Sequence, residues 1–204
     1  MAALLGEESD TCVWTGSTNG NFSLSSAWKI CRAKQNALFL NSLMWSPVIP
    51  LHWSIVVWRA IHGKLPLDTS IQKKGIQLAS KCCCCVKSSI ESTKHVFLSS
   101  RGAQRIWQWF EGKLGIQCSN EDSLTLKLND WWRIRFRSPC FKMLLIVTPI
   151  CIIWELWRNR CFGKFDGRRG EISAIIKNIE IHLSILLIKI PAMTKQCYQD
   201  EVTL

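Results

Sequence analysis

Apolar residues recur at intervals of three and four along most of this chain, and that spacing predicts amphipathic helices. Between Leu51 and Ile61 the residues Trp53, Val56, Val57, Ala60 and Ile61 share one helical face, with Gly63 placed to end the helix. Pro66 and Asp68 open a short helix that stops at Gly75. Ala103, Ile106, Trp107, Phe110 and Leu114 make a second stripe, closed by Gly115. Asn120, Glu121 and Asp122 start a helix that reaches Trp131, Trp132 and Ile134. Phe141 to Phe162 is the most apolar portion, and Ile172 to Ile190 is a last helix stopped at Pro191. One stretch breaks the helical rhythm. Strand-like residues flank the pair Asn19-Gly20 between Trp14 and Leu24, which predicts a β-hairpin. Ser25 or Ser26 then caps a helix through Ala27, Trp28, Ile30 and Cys31.

The apolar run deserves a membrane test. Met143 to Trp154 is uncharged for twelve residues with Pro149 in its middle, bounded by Lys142 and Glu155. A spanning helix needs roughly 20 apolar residues, so a buried core helix is expected and a membrane partner is not.

At 204 residues with 48% hydrophobic against 20% charged, the chain can bury a good core. A net charge of +11 favours a polyanionic partner, RNA or DNA above all. Eleven tryptophans beside one tyrosine are read as core rings whose indole N–H groups find backbone acceptors. The first residues lack a basic leader and a long apolar run, so the expectation is an intracellular protein, nuclear or cytoplasmic. In that setting the eleven cysteines are metal ligands or packing thiols rather than a disulfide framework. Cys12, Cys31, Cys118, Cys140, Cys151, Cys161 and Cys197 are expected to be buried free thiols.

Four consecutive cysteines, Cys82 to Cys85, carry the chemistry. Cys82 and Cys85 have the Cys-x-x-Cys spacing that lets two thiolates reach one zinc ion at about 2.3 Å. A loop of nine residues returns His95 as the third donor. A shifted pairing within the cysteine run stays open. Five positions past His95 stands Ser100, whose hydroxyl is a poor zinc ligand beside thiolate or imidazole. Water or another thiol such as Cys118 must then complete the tetrahedron, and a weak or partial zinc site is expected.

With these residues in view, the chain resembles the zinc-binding region of plant non-LTR retrotransposon reverse transcriptases. Cys82, Cys85, Glu91, Ser92, His95 and Phe97 match that family's knuckle, with Val96 for Leu and Ser100 for the last Cys. Upstream, Trp14, Gly20, Phe22, Ser23, Ala27 and Trp28 resemble its opening elements. Trp45, Pro50, Trp58, His62, Gly63, Leu65, Pro66 and Asp68 fit its His-Gly-x-Leu-Pro stretch, with Leu67 where Thr is usual. Trp154, Trp157, Arg158, Asn159 and Phe162 resemble the tail that follows the knuckle. The resemblance implies a module from a transposon polyprotein that helps hold nucleic acid, and a structural part for Glu91 as acceptor of a backbone or histidine N–H.

Two basic clusters are the candidate nucleic-acid contacts: Arg133, Arg135 and Arg137 after Trp131-Trp132, and Arg158 and Arg160 after Trp157. No enzyme is expected. The fifteen acids are dispersed, and Tyr198-Gln199-Asp200-Glu201 echoes a polymerase motif only in a polar tail without flanking strands. No small-molecule substrate is evident. The expected architecture is mainly α: a small helical domain with an N-terminal β-hairpin and an inserted zinc knuckle. It divides into a flexible N-terminus at 1–12, a reverse-transcriptase zinc-binding-like domain at 13–115, a helical C-terminal extension at 116–190 and a polar tail at 191–204. The alternative is a structural or protein-interaction domain with a decayed zinc site.

Overall fold

The structure is a computed structural model that describes residues 12–31, 43–86, 88–119, 121–135 and 138–188. It divides into two compact units, Met1–Ala37 and Leu38–Leu204. The echo at Tyr198 and the thiol of Cys197 lie outside the described residues.

The first unit corrects the hairpin expectation, because the described residues contain no β-strand. Gly20 does adopt a positive φ of 71°, and the Trp14 N–H donates to its carbonyl at 2.8 Å. The turn is there, but no ladder grows from it. Ser23 and Ser26 cap reciprocally: the Ser26 N–H donates to Ser23 Oγ at 3.1 Å and the Ser23 N–H to Ser26 Oγ at 3.3 Å. Helix α1 (Leu24–Cys31) follows at once. Only Asn21 and Phe22 separate the turn from that cap, too few residues for a returning strand. Local hydrogen bonds win further ground, since Asn19 Oδ1 accepts from the Asn21 N–H and Ser17 Oγ donates to the Asn21 carbonyl. Cys12 and Cys31 are exposed here, against the expectation of burial.

The second unit is helical. Its elements are α2 (Leu51–Ile61), α3 (Asp68–Gln72), a π-helical turn (His95–Ser99), α4 (Arg101–Lys113), α5 (Leu124–Arg133), α6 (Pro139–Phe165) and α7 (Ile172–Ile188). Gly63, Gly75 and Gly115 follow α2, α3 and α4 with positive φ, as helix-ending glycines do. The helix α6 is the axis of the packing: α2, α4, α5, α7 and the π turn all lie against it. Leu145, Ile150, Cys151, Ile152 and Ile153 on α6 are fully enclosed. Pro149 lies inside the helix and, lacking an N–H, leaves the Leu145 carbonyl without its usual partner.

By length and composition α6 could cross a membrane, yet 67% of its most apolar window is buried within the protein. The run between charges looks short in the sequence because Glu155 interrupts it. That carboxylate is buried and answered by Arg158 Nη1 at 2.7 Å and His182 Nε2 at 3.0 Å. The tryptophans divide. Trp107 and Trp132 donate to the carbonyls of Phe97 and Ile146, while the buried indole N–H groups of Trp53 and Trp131 have no partner.

Candidate metal centre

The cysteine loop sits between α3 and the π turn and is held from both sides. The Cys82 N–H donates to the Ser89 carbonyl at 2.8 Å, closing the loop on itself. The Lys81 N–H donates to Asp68 Oδ2 at 3.2 Å, and the Glu91 N–H to Ser80 Oγ at 2.9 Å. Ser92 caps the turn that carries the histidine, its Oγ accepting from the His95 N–H at 3.1 Å.

This framework brings the three expected donors together. Cys82 Sγ, Cys85 Sγ and a ring nitrogen of His95 all lie within 4.8 Å of one another. Cys85 Sγ is 3.2 Å from His95 Nε2. In a tetrahedral zinc site with bonds of about 2.0–2.3 Å, neighbouring donors stand roughly 3.5–4 Å apart, so shifts of less than about 1 Å suffice, with Cys85 and His95 moving slightly apart. Two sulfurs and an imidazole are the donor chemistry zinc prefers, and the residues fit the ion.

The protonation of the cluster is uneven. The hydrogen bond from the Cys84 thiol holds Cys82 down at about 5, against the opposing effect of burial. The same bond, with burial, drives Cys84 far up, so its proton stays put at neutral pH. Burial pushes Cys85 up to about 11, with the neighbouring Cys82 adding to it. Of the two candidate sulfur ligands, Cys82 is thus the one favoured as thiolate.

Ser100 is engaged elsewhere. It is the N-cap of α4, its Oγ accepting from the Ala103 N–H at 3.2 Å. Cys118 is not among the clustered donors; its surroundings are Glu111 and Lys127. A cavity of about 550 Å³ opens beside the centre, with Cys84, Cys85 and His95 on one wall and Arg101, Asn159 and Ile172 on another.

Glu91 is structural in a way the sequence hid. Its carboxylate accepts from the Asp68 N–H at 3.3 Å, and from Arg160 through Nη2 at 2.6 Å and Nε at 3.2 Å. Arg160 was expected among the nucleic-acid contacts. It is 3% exposed, and its Nη2 also donates to the Pro66 carbonyl at 3.0 Å. Facing inward on α6, it has the buried Glu91 anion to neutralise and no room for a phosphate. Arg158 is half-buried, paired with Glu155 and resting 5.5 Å over the Phe162 ring. Arg133 and Arg135 are exposed, and Arg137 lies outside the described residues.

Sequence reasoning passed over one face. Arg101, Arg105 and Trp109 follow one another at four-residue intervals on α4 and are all exposed, Trp109 by 51%. The signal was available. These positions are the complement of the apolar stripe Ala103, Ile106 and Phe110.

Residues 22–107 match the family described as zinc-binding in reverse transcriptase. All three clustered donors fall inside that segment. No curated protein and no solved structure matches the chain.

Proposed function

We propose, from the match of residues 22–107 to the family described as zinc-binding in reverse transcriptase, that the chain is a retroelement-derived module that binds zinc and single-stranded nucleic acid and has no polymerase activity. The observation that carries the reading is the convergence of Cys82, Cys85 and His95 within 4.8 Å inside the matched segment. Bound zinc supplies a cross-link between the cysteine loop and the π turn. The chain's own residues do the recognition. Arg101 and Arg105 offer phosphate contacts one turn apart, and the exposed Trp109 ring is placed one turn further on for a base to stack. Arg133 and Arg135 add exposed cations at the end of α5. A net charge of +11 supports the same partner.

Filter binding with short single-stranded RNA and DNA tests this. Affinity is expected to fall steeply with salt, and Arg105→Gln to lower the log–log slope by roughly 0.7. Trp109→Ala is expected to cost about 1–3 kcal/mol of binding without changing that slope. Binding that stays flat as salt rises refutes the electrostatic mechanism.

A protein-interaction role is the second reading, and one observation favours it. Leu51, Ile55 and Trp58 form an exposed apolar stripe on α2. An electrophoretic shift assay with single strands separates the two, because a protein-docking module gives no shift.

A further inference from the structure

We infer that the cavity between the metal loop, α4 and α7 is a base pocket, which takes one unpaired nucleobase of the single strand whose phosphates lie along Arg101 and Arg105. This deepens the nucleic-acid reading above and rests on it.

The cavity measures about 550 Å³, within the range of about 300–1,000 Å³ over which pockets hold small organic ligands. Its lining is mostly aliphatic. Ile106 of α4, Leu156 of α6, and Ile172 and Ile175 of α7 face it from three helices. Such walls suit the two flat faces of a base drawn out of its stack. Gly102 keeps the space clear on the α4 side. An added Cβ there would lie 4.0 Å from Ile172 Cγ1, so a longer side chain would extend toward the opposite wall.

Aliphatic walls alone would suit many guests, and two polar residues narrow the choice. Arg101 belongs both to the cavity wall and to the exposed row Arg101, Arg105 and Trp109. At a rise of about 1.5 Å per residue, this row advances about 6 Å with each step along α4. Phosphates neutralised by Arg105 and then Arg101 bring a strand to the cavity, while Trp109 stacks another base at the far end of the row. That continuity selects a base within a strand over a free nucleoside. Asn159 supplies the edge contact. Its Oδ1 accepts from the Gly170 N–H at 2.8 Å, which fixes the amide, because an N–H donor faces the oxygen and not the NH2 group. The Nδ2 hydrogens are left to donate to a ring nitrogen or carbonyl of the guest. Every base presents such an acceptor, so the pocket distinguishes a base from its absence rather than one base from another.

The probe is the shortest oligouridylate that keeps full affinity for the full-length chain, compared by fluorescence anisotropy with copies carrying one abasic position each. Two positions are expected at which loss of the base weakens binding about tenfold. One of them should become insensitive in Trp109→Ala, the other in the plugged variants Gly102→Leu and Ile172→Trp. The plugs enter from different helices, and circular dichroism checks that each keeps wild-type helix content. Asn159→Asp retains the oxygen that Gly170 needs and lacks the donor. It should shrink the intact-to-abasic affinity ratio at the second position, since its added charge repels both strands alike and cancels in the ratio. A single sensitive position, abolished by Trp109→Ala, with plugged variants that bind as the wild type does, overturns the base pocket and leaves the nucleic-acid reading standing. Failure of every strand to bind the wild type sinks both.

Discussion

The Glu91 carboxylate and the Arg160 guanidinium, 69 positions apart in the chain, meet at 2.6 Å in the interior. Glu91 belongs to the metal loop and Arg160 to α6, so one ion pair ties the loop to the axis of the fold. Lys164 repeats the tie one turn later, its Nζ 3.0 Å from Asp68 Oδ1. Arg160 also lies with its guanidinium 5.1 Å over the Trp157 ring, a second contact that holds it in place.

Removing one member of the pair should be costly. Glu91→Leu leaves Arg160 buried and unanswered and is expected to lower stability by about 3–5 kcal/mol. The double variant Glu91→Leu with Arg160→Met should recover most of that loss, since an apolar pair asks for no desolvated charge. Urea unfolding of the metal-free chain measures both. Equal destabilisation in the single and double variants would show that the pair's charges are not what matters.

Ser100→Cys separates capping from ligation. In the metal-free protein it should destabilise by about 1 kcal/mol, because α4 loses the oxygen that accepts from the Ala103 N–H. With Co(II) added, Ser100→Cys is expected to strengthen the thiolate charge-transfer band if the new sulfur reaches the centre formed by Cys82, Cys85 and His95. Thermal melts and cobalt spectra read the two effects on one set of proteins.

Zinc uptake should strengthen as pH rises from neutral. Cys82 is held at about 5 by its bond from Cys84, so at pH 7 a metal displaces no proton from it. Cys85 stands up at about 11, chiefly through burial, and must release its proton on binding. Each such proton makes affinity climb about tenfold per pH unit until the thiol's own value is approached. Competition with a chelator of known affinity gives the slope. A slope of one proton corresponds to Cys85.

Stripping the metal should loosen the loop and spare the helices. The contacts of α6 with α2, α5 and α7 do not pass through the cysteines. Chelation is therefore expected to leave the far-ultraviolet dichroism nearly unchanged and to expose residues 82–95 to protease. Cooperative loss of helix on chelation would refute that division.

Much of the helical plan was legible because periodicity and glycine stops are local signals. The stripe through Trp53, Val57 and Ala60 and the stop at Gly63 correspond to α2 almost residue for residue. The clustering of Cys82, Cys85 and His95 was legible for the same reason, their spacing being a property of the chain. Arg160 was not. An arginine beside tryptophan in a basic run reads as surface, and only the folded chain shows the buried carboxylate that draws it inward. The turn at Asn19-Gly20 was seen correctly, but the serine cap three residues on halts any strand. Helix α5 likewise begins at Leu124 rather than at the acidic triplet, with Ser123 in the N-cap position.

Arg160 and Lys164 lie beyond the matched residues 22–107, although Asp68 and Glu91 within that segment depend on them for countercharge. Cutting the polypeptide after Trp107 would remove the countercharges of both carboxylates together with the helix that covers them. The matched stretch thus draws its countercharge from residues outside it. The long helix completes a charge balance that residues 22–107 leave open.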